Sequence, residues 1–305
     1  MEILFLGTGA AVPSKDHATS CLAVRSGSDI ILMDCGEGSQ RQLMLSPFSF
    51  MKIRAILITH LHGDHVFGLP GLLQTMSLSN RTEPLLVLGP KGIASALDAM
   101  MSVTEGETQY EVRVTEVSGG EDIDVKGLRV RPYATDHGIA SVGYVVVDRD
   151  RPGKLDANRA RSLGITAGRD MARLKNGETV NGVRPEDVIG PVQPGHRVAY
   201  SGDTRPCASE DGAVAGADVI IHECTYMDSE SAQAREHFHT TARQAATVAA
   251  GAGARYLILT HISNRYDDRE EVLGEAREVF PETYMAEDME LFELSASGLR
   301  VKSTG

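Results

Sequence analysis

A layered α/β architecture is predicted for this 305-residue chain by three recurring observations. Short apolar runs end in a polar residue of metal-ligand type. Stretches with helical spacing of apolar residues lie between those runs. Glycine, serine and proline turns separate extended runs near the N-terminus. Short apolar runs suit strands buried on both faces, and helices between them would cover the outer faces of the sheets.

Taken in order, residues 3–6, 21–25 and 30–34 read as the first strands, bounded by turn-forming residues. Residues 55–58 are the next apolar run and lead into His60. Helical spacing follows over 66–76 and 92–101. A strand over 128–133 leads to Asp136 and His137. Further on, 197–201 leads into Gly202-Asp203-Thr204, 218–221 into His222-Glu223, and 256–260 into His261. Helical spacing returns over 241–250 and 269–279. The alternation reads as two similar halves, the second starting near Arg197. Between them, residues 148–196 hold seven Gly and four Pro. Turn formers dominate there, so a protruding arm without a compact fold of its own is expected. The predicted organisation is one domain over 1–305 with this arm inserted at about 148–196.

A composition of 42% hydrophobic residues can bury a large core. No apolar stretch approaches the roughly 20 residues needed to span a bilayer. The segment Met1 to Gly7 lacks a basic stretch, and its apolar run is too short for a signal peptide. Cys21, Cys35, Cys207 and Cys224 are widely spaced and form no paired motif, so they read as reduced thiols of a cytoplasmic protein. A net charge of −12 opposes general phosphate binding, which needs clustered Lys and Arg. The charge is uneven, however. Residues 148–184 carry nine basic and five acidic side chains, a local +4 that leaves −16 for the rest. A basic segment on an acidic body can address a polyanion; a solvated loop of scattered charge is the plain alternative.

The segment from Thr59 to His65 is the most informative. His60, His62, Asp64 and His65 put three imidazoles and a carboxylate within six residues, directly after a strand. These are the donors that borderline divalent metals accept. His137, Asp203 and His261 follow other strands, and strand ends can converge on one rim of a rigid scaffold. Two metals sharing a carboxylate need about seven such groups, and metal binding lowers the pKa of water to about 7. Taken singly, His137 or His261 is more often a hydrogen-bonded structural residue, and Asp203 could be a turn or cap carboxylate. The His60 cluster is what reverses that reading.

The ordered set His60, His62, Asp64, His65, His137, Asp203 and His261 resembles the metallo-β-lactamase superfamily, over nearly the whole chain. The finer resemblance is to the tRNase Z family of tRNA 3′-processing endonucleases. It is carried by Gly7-Thr8-Gly9-Ala10, the run from Asp34 to Arg41, His222-Glu223-Cys224-Thr225, and Leu259 to Ser263. The resemblance implies an αββα sandwich of two β-sheets flanked by helices, and a homodimer. It implies two zinc ions per chain, with manganese or iron as alternatives: His60, His62 and His137 on one, Asp64, His65 and His261 on the other, Asp203 bridging. It further implies a catalytic set of Asp64, Glu223 and His239, in which the Glu223–His239 pair supplies a general acid for an alkoxide leaving group. The implied activity is zinc-dependent removal of the 3′ trailer from precursor tRNA, with no membrane association. The family's Pro-x-Lys-x-Arg-Asn stretch reads here Pro13-Ser14-Lys15-Asp16-His17-Ala18, so Lys15 matches and the Arg and Asn positions do not. In the arm, Gly168 lacks the Pro that follows it in relatives. A small-molecule zinc phosphodiesterase or arylsulfatase-like hydrolase would have no use for a basic arm. A non-catalytic RNA-binding protein would not be expected to keep seven ligands. Lactone or thioester hydrolysis does not fit the flanking phrases.

Overall fold

In the computed structural model, residues 1–103, 107–266 and 268–302 are described. The chain divides into two compact units, Met1–Val147 with His196–Gly305, and Asp148–Gly195.

The larger unit holds two sheets. Strands β1 (Glu2–Gly7), β2 (Cys21–Ser26), β3 (Asp29–Met33), β4 (Ile53–Leu57), β5 (Leu85–Gly89) and β6 (Val112–Glu116) open the first. The second takes β7 (Ile123–Val125), β8 (Leu128–Ala134), β9 (Val142–Val147), β10 (Arg197–Tyr200), β11 (Val219–Glu223), β12 (Tyr256–Thr260) and β13 (Thr283–Met285). The chain then returns to the first sheet with β14 (Leu291–Ser295) and β15 (Gly298–Lys302). The strand orders are β15-β14-β1-β2-β3-β4-β5-β6 and β13-β12-β11-β10-β9-β8-β7. Strands β3 to β6 are parallel, as are β10 to β13.

The unbroken apolar runs are explained by burial on both faces. Successive side chains of a strand point to opposite sides. Ile3, Phe5, Ile31 and Met33 enter the buried cluster between the sheets, with Val130, Tyr144, Val198, Ile221 and Ile258 from the second sheet. Their neighbours Leu4, Leu6, Ile30 and Leu32 face outward into a second cluster. That cluster is closed by α1 (Ser39–Leu45), α3 (Leu69–Leu78) and α4 (Ile93–Val103), through Leu43, Leu72, Leu73, Met76, Ile93 and Leu97. A short helix, α2 (Gly63–Val66), precedes α3.

The Asp148–Gly195 unit contains α5 (Ala157–Ser162), α6 (Arg169–Lys175) and α7 (Pro185–Val188). It has a small core of its own: Ala160, Ile165, Leu174, Val180, Val183 and Val188. The expectation of no compact fold is thus corrected. Its apolar residues are dispersed singly among turns, so no periodic run marks them, and bridges such as Val180 with Val183 and Leu155 with Ile189 gather them. Glu186 and Asp187, beyond the basic stretch, lower the whole unit's balance to +2, from nine basic and seven acidic residues.

On the outer face of the second sheet lie α8 (Ala208–Ala213), α10 (Ala242–Gly251) and α11 (Arg269–Arg277), with α9 (Ser231–Glu236) between α8 and α10 in sequence. Ala245, Ala246 and Ala249 of α10 and Val272 and Ala276 of α11 are buried with Ile220, Leu257 and Leu259. Thr241 starts α10 with a capping box to Gln244. The layers run helix, sheet, sheet, helix. Among the described residues no helix is long and apolar enough to cross a membrane.

Two expectations are revised. The helical pattern of 66–76 breaks at Gly68, whose N–H donates to the Cys35 carbonyl at 2.8 Å rather than continuing the ladder; α2 ends and α3 begins anew, with Pro70 in its first turn. The second sheet begins at β7, not near Arg197. The C-terminal hairpin crosses back because β1 would otherwise present an open edge, which β14 fills in antiparallel pairing.

Candidate metal centre

Parallel pairing decides where the site forms, since the C-terminal ends of neighbouring parallel strands open on one rim. Asp203 follows β10, Glu223 ends β11 and His261 follows β12, three adjacent strands of the second sheet. Asp34 follows β3 and His60 follows β4, neighbours in the first. His137 follows β8. Backbone links tie these ends together. Val142 N–H donates to the Thr59 carbonyl at 2.9 Å and Arg205 N–H to the Asp136 carbonyl at 3.0 Å. Asp34 and His261 adopt left-handed backbone, with φ of 57° and 56°. Such φ values in residues other than glycine are held by their surroundings and gather at functional sites.

All seven ligand candidates converge. His62 Nδ1 and His137 Nε2 are 3.3 Å apart. Asp64 Oδ2 lies 3.5 Å from both His65 Nε2 and His261 Nε2. The two oxygens of Asp203 face different groups: Oδ2 is 3.6 Å from His60 Nε2, while Oδ1 is 3.5 Å from His65 Nε2 and 3.4 Å from His261 Nε2. Donors about 2.05 Å from one tetrahedral ion are separated by about 3.3 Å along each edge. Several of these pairs are within hydrogen-bond reach of each other, yet the donor atoms also gather in threes within 4.8 Å, as ligands around a shared cation do. Among the described residues His60 Nε2 and Asp203 Oδ1 are buried with no hydrogen-bond partner, which costs stability unless a cation is their partner. The donor set therefore fits divalent ions.

The opposite ring nitrogens are held by the protein. His65 Nδ1 donates to Asp34 Oδ2 at 2.8 Å, and His137 Nδ1 to the Phe238 carbonyl at 3.2 Å. Thr59 Oγ1 accepts from His60 Nδ1 and Thr225 Oγ1 from His261 Nδ1, each at 3.0 Å. Anchoring one nitrogen fixes the tautomer and aims the other at the centre. Asp34, fully buried, also accepts from Thr59 N–H at 2.8 Å and from the Tyr200 hydroxyl at 2.9 Å. The sequence pattern gives Asp34 no role, although it too is a carboxylate one residue past an apolar strand. Thr225 was likewise passed over; nothing in its sequence context marks it.

Burial pushes His60 well below the usual imidazole range, leaving its Nε2 lone pair free. Burial acts upward on Asp203, but the neighbouring His261, His65 and His60 outweigh it and hold the carboxyl well below the carboxylate range. The same carboxylates, Asp203 and Asp34, overcome burial at His65 and raise it; a field that favours a proton there also favours a metal cation.

Beside the ligands lies a carboxylate–imidazole pair, the buried Glu223 with the half-buried His239. Glu223 Oε1 accepts from His239 Nδ1 at 2.7 Å, and its oxygens also accept from the N–H groups of Thr204, Thr225 and Thr240. Burial would lower His239, but the Glu223 charge and hydrogen bond raise it to about 9. His239 thus retains its proton at neutral pH. A ring nitrogen of His239 also falls within 4.8 Å of ligand atoms of Asp203 and His261. An open cleft of about 560 Å³ exposes Asp64, Asp203, His239 and His261, with Phe67 and Val12 at its walls.

A family profile described as a beta-lactamase superfamily domain matches residues 30–262. The chain is 40% identical to ribonuclease Z of Methanosarcina mazei over 294 residues, 95% of this chain and 96% of that one. It is 41% identical to ribonuclease Z of Methanothermobacter thermautotrophicus, covering 97% of each. Among solved structures it is similar to human tRNase Z, short form, at 28% identity with a TM-score of 0.72, over 97% of this chain and all of that one.

Proposed function

Because this chain belongs to the ribonuclease Z family of the β-lactamase superfamily, we infer that it is a phosphodiester-hydrolysing endoribonuclease of tRNA 3′ processing. The observation that carries the chemistry is the convergence of seven His and Asp side chains whose facing nitrogen and oxygen atoms lie 3.3 to 3.6 Å apart.

In this reading His60, His62 and His137 would hold one ion and Asp64, His65 and His261 a second, with Asp203 shared between them. Imidazole and carboxylate donors suit zinc, and manganese or iron as alternatives. Ions bound there would supply Lewis acidity and an activated water at neutral pH. The remaining steps belong to side chains. Glu223 holds His239 charged and oriented, and His239 delivers its proton to the oxygen that leaves phosphorus. Asp64 both ligates and, through the Ala11 N–H donated to its Oδ2 at 3.0 Å, fixes the loop that borders the cleft. The Asp148–Gly195 unit supplies basic side chains for tRNA phosphates. A homodimer resident in the cytoplasm completes the proposal.

The test is cleavage of a trailer-bearing precursor tRNA by the purified, metal-loaded protein, with the cut mapped to the nucleotide. A single cut at the base of the trailer is expected. Hydrolysis of small phosphodiesters with the precursor left intact would overturn the ribonuclease reading.

A further inference from the structure

A second cavity, about 650 Å³, also reaches His239 and is lined by Asp136, Arg205, Ser231, Arg235 and Gln244 as well. The His239 imidazole therefore borders both this cavity and the metal cleft. We propose that the cavity is an anion subsite, in which Arg205 and Arg235 hold the backbone phosphate next to the scissile one, on the RNA segment that carries the leaving oxygen. The inference rests on the ribonuclease reading and deepens it.

Three observations lead to it. Arg205 is rigidly built in: its Nε donates to Asp136 Oδ2 at 2.7 Å, its Nη1 to the Arg235 carbonyl at 3.4 Å, and its guanidinium carbon sits 4.5 Å over the Phe238 ring. Among the described residues Nη2 has no partner, so a donor edge is left for a ligand. Arg235, exposed on α9, pairs with no carboxylate among the described residues. Two arginines against the single carboxylate of Asp136 make this cavity net positive in a protein of net charge −12. A planar guanidinium held in place matches phosphate geometry better than a mobile ammonium does.

Position then selects the ligand. A general acid must stand within hydrogen-bond reach of the oxygen it protonates. The nucleoside bearing that oxygen consequently lies on the His239 side, and its other phosphate extends into the cavity beyond. Charge and position give a small phosphodiester no access to these contacts, because it ends at the leaving group.

Arg235 carries the decisive test, since it lies on a surface helix and touches no ligand. Arg235→Ala and Arg235→Glu are assayed beside the unaltered metal-loaded protein on precursor tRNA and on bis(p-nitrophenyl) phosphate, with metal content measured. For Arg235→Ala, KM on the precursor should rise roughly tenfold, as loss of a charge-assisted hydrogen bond implies, and Arg235→Glu should raise it further. The RNA-to-small-substrate ratio of kcat/KM should fall in step. The slope of log KM against log salt should drop by about 0.7, the value for one phosphate of a single strand. Arg205→Gln should behave likewise with metal retained; loss of metal there would show that Arg205 acts through Asp136 and the adjoining His137 instead, and would remove it from the subsite. An unchanged precursor KM and salt slope in both Arg235 variants would overturn the proposal. If the unaltered protein fails to cut the precursor, the ribonuclease reading itself falls, a separate result from failure of the variants.

Discussion

Asp203 is the side chain whose two oxygens look toward different histidines, Oδ2 toward His60 and Oδ1 toward His65 and His261. Its removal should therefore affect both ions. Asp203→Ala is expected to lower total metal per chain more than His62→Ala does, and to abolish most hydrolysis; elemental analysis of the purified variants checks the order. Equal losses would mean that Asp203 serves one ion only. His239 poses the complementary question, being near the ligands yet bound to Glu223 at 2.7 Å. His239→Ala should cut turnover on precursor tRNA by roughly 100- to 10,000-fold, the usual range for loss of a general acid, with metal content nearly intact. A nitrophenyl phosphodiester, whose leaving group needs little protonation, should suffer much less. Equal losses on the two substrates would count against the acid role and favour a structural one, and loss of metal would place His239 among the ligands. At this scale the candidates that converge were legible, since His and Asp next to strand ends announce themselves. Asp34 was not, because a carboxylate that serves by orienting an imidazole 31 positions away leaves no local spacing to detect.

Between elements, β11 and α8 are joined by a buried ion pair that the site itself does not use. His222 Nε2 and Glu210 Oε1 are 3.2 Å apart and both residues are fully buried. Burial alone would lower His222, but the charge of Glu210 beside it raises it to about 9. A histidine whose folded pKa exceeds its unfolded value of about 6.5 binds more protons when folded. Its contribution is thus complete below about pH 6.5 and is lost as pH rises through about 9. Stability relative to the double variant Glu210→Gln/His222→Gln should fall across that window by on the order of a few kcal/mol. Urea midpoints of the two proteins at fixed metal, measured from pH 6 to 10, test this; a constant difference would mean that the pair carries no charge. Taking the difference cancels the titration of groups both proteins share. Element boundaries followed the sequence where caps and turns are explicit, as at Thr241 with Gln244. They departed from it at Gly68, whose N–H bonds to the carbonyl of Cys35, distant in sequence, and so interrupts a helix that local periodicity would continue.

For the whole molecule, the acidic body and the basic insertion divide the electrostatics. The Asp148–Gly195 unit keeps Arg151, Lys154, Arg159, Arg161, Arg169, Arg173, Lys175 and Arg184 exposed. Arg173 is paired with Glu178, and Arg184 with Glu186 and Asp187, so fewer free charges remain than the sequence count implies. Folded RNA is recognised largely through shape and backbone. Replacing residues 152–184 with a short Gly/Ser linker should weaken precursor-tRNA binding strongly and flatten its salt dependence, since fewer counterions are released. Small phosphodiester hydrolysis should persist, because every ligand candidate lies in the other unit. Undiminished binding across a salt titration would deny this unit an RNA-gripping role.

Reading residues in order was enough to reveal the alternation of buried strands and helices, the ligand types and the family they resemble. Each of these is written in local pattern: period two or 3.6, a cluster of His60, His62, Asp64 and His65, a phrase such as Gly202-Asp203-Thr204. The return of β14 to the edge of β1, the start of the second sheet at β7 and the small core of the inserted unit emerged only when the chain was folded. So did the cross-sheet bond from Tyr200 to Asp34 and the cavity shared by Arg205, Arg235 and His239. These depend on contacts between residues tens to hundreds of positions apart, such as Glu2 with Glu293 in the strand register. Periodicity reports how a segment meets its surroundings and carries no information about which distant segment those surroundings will be.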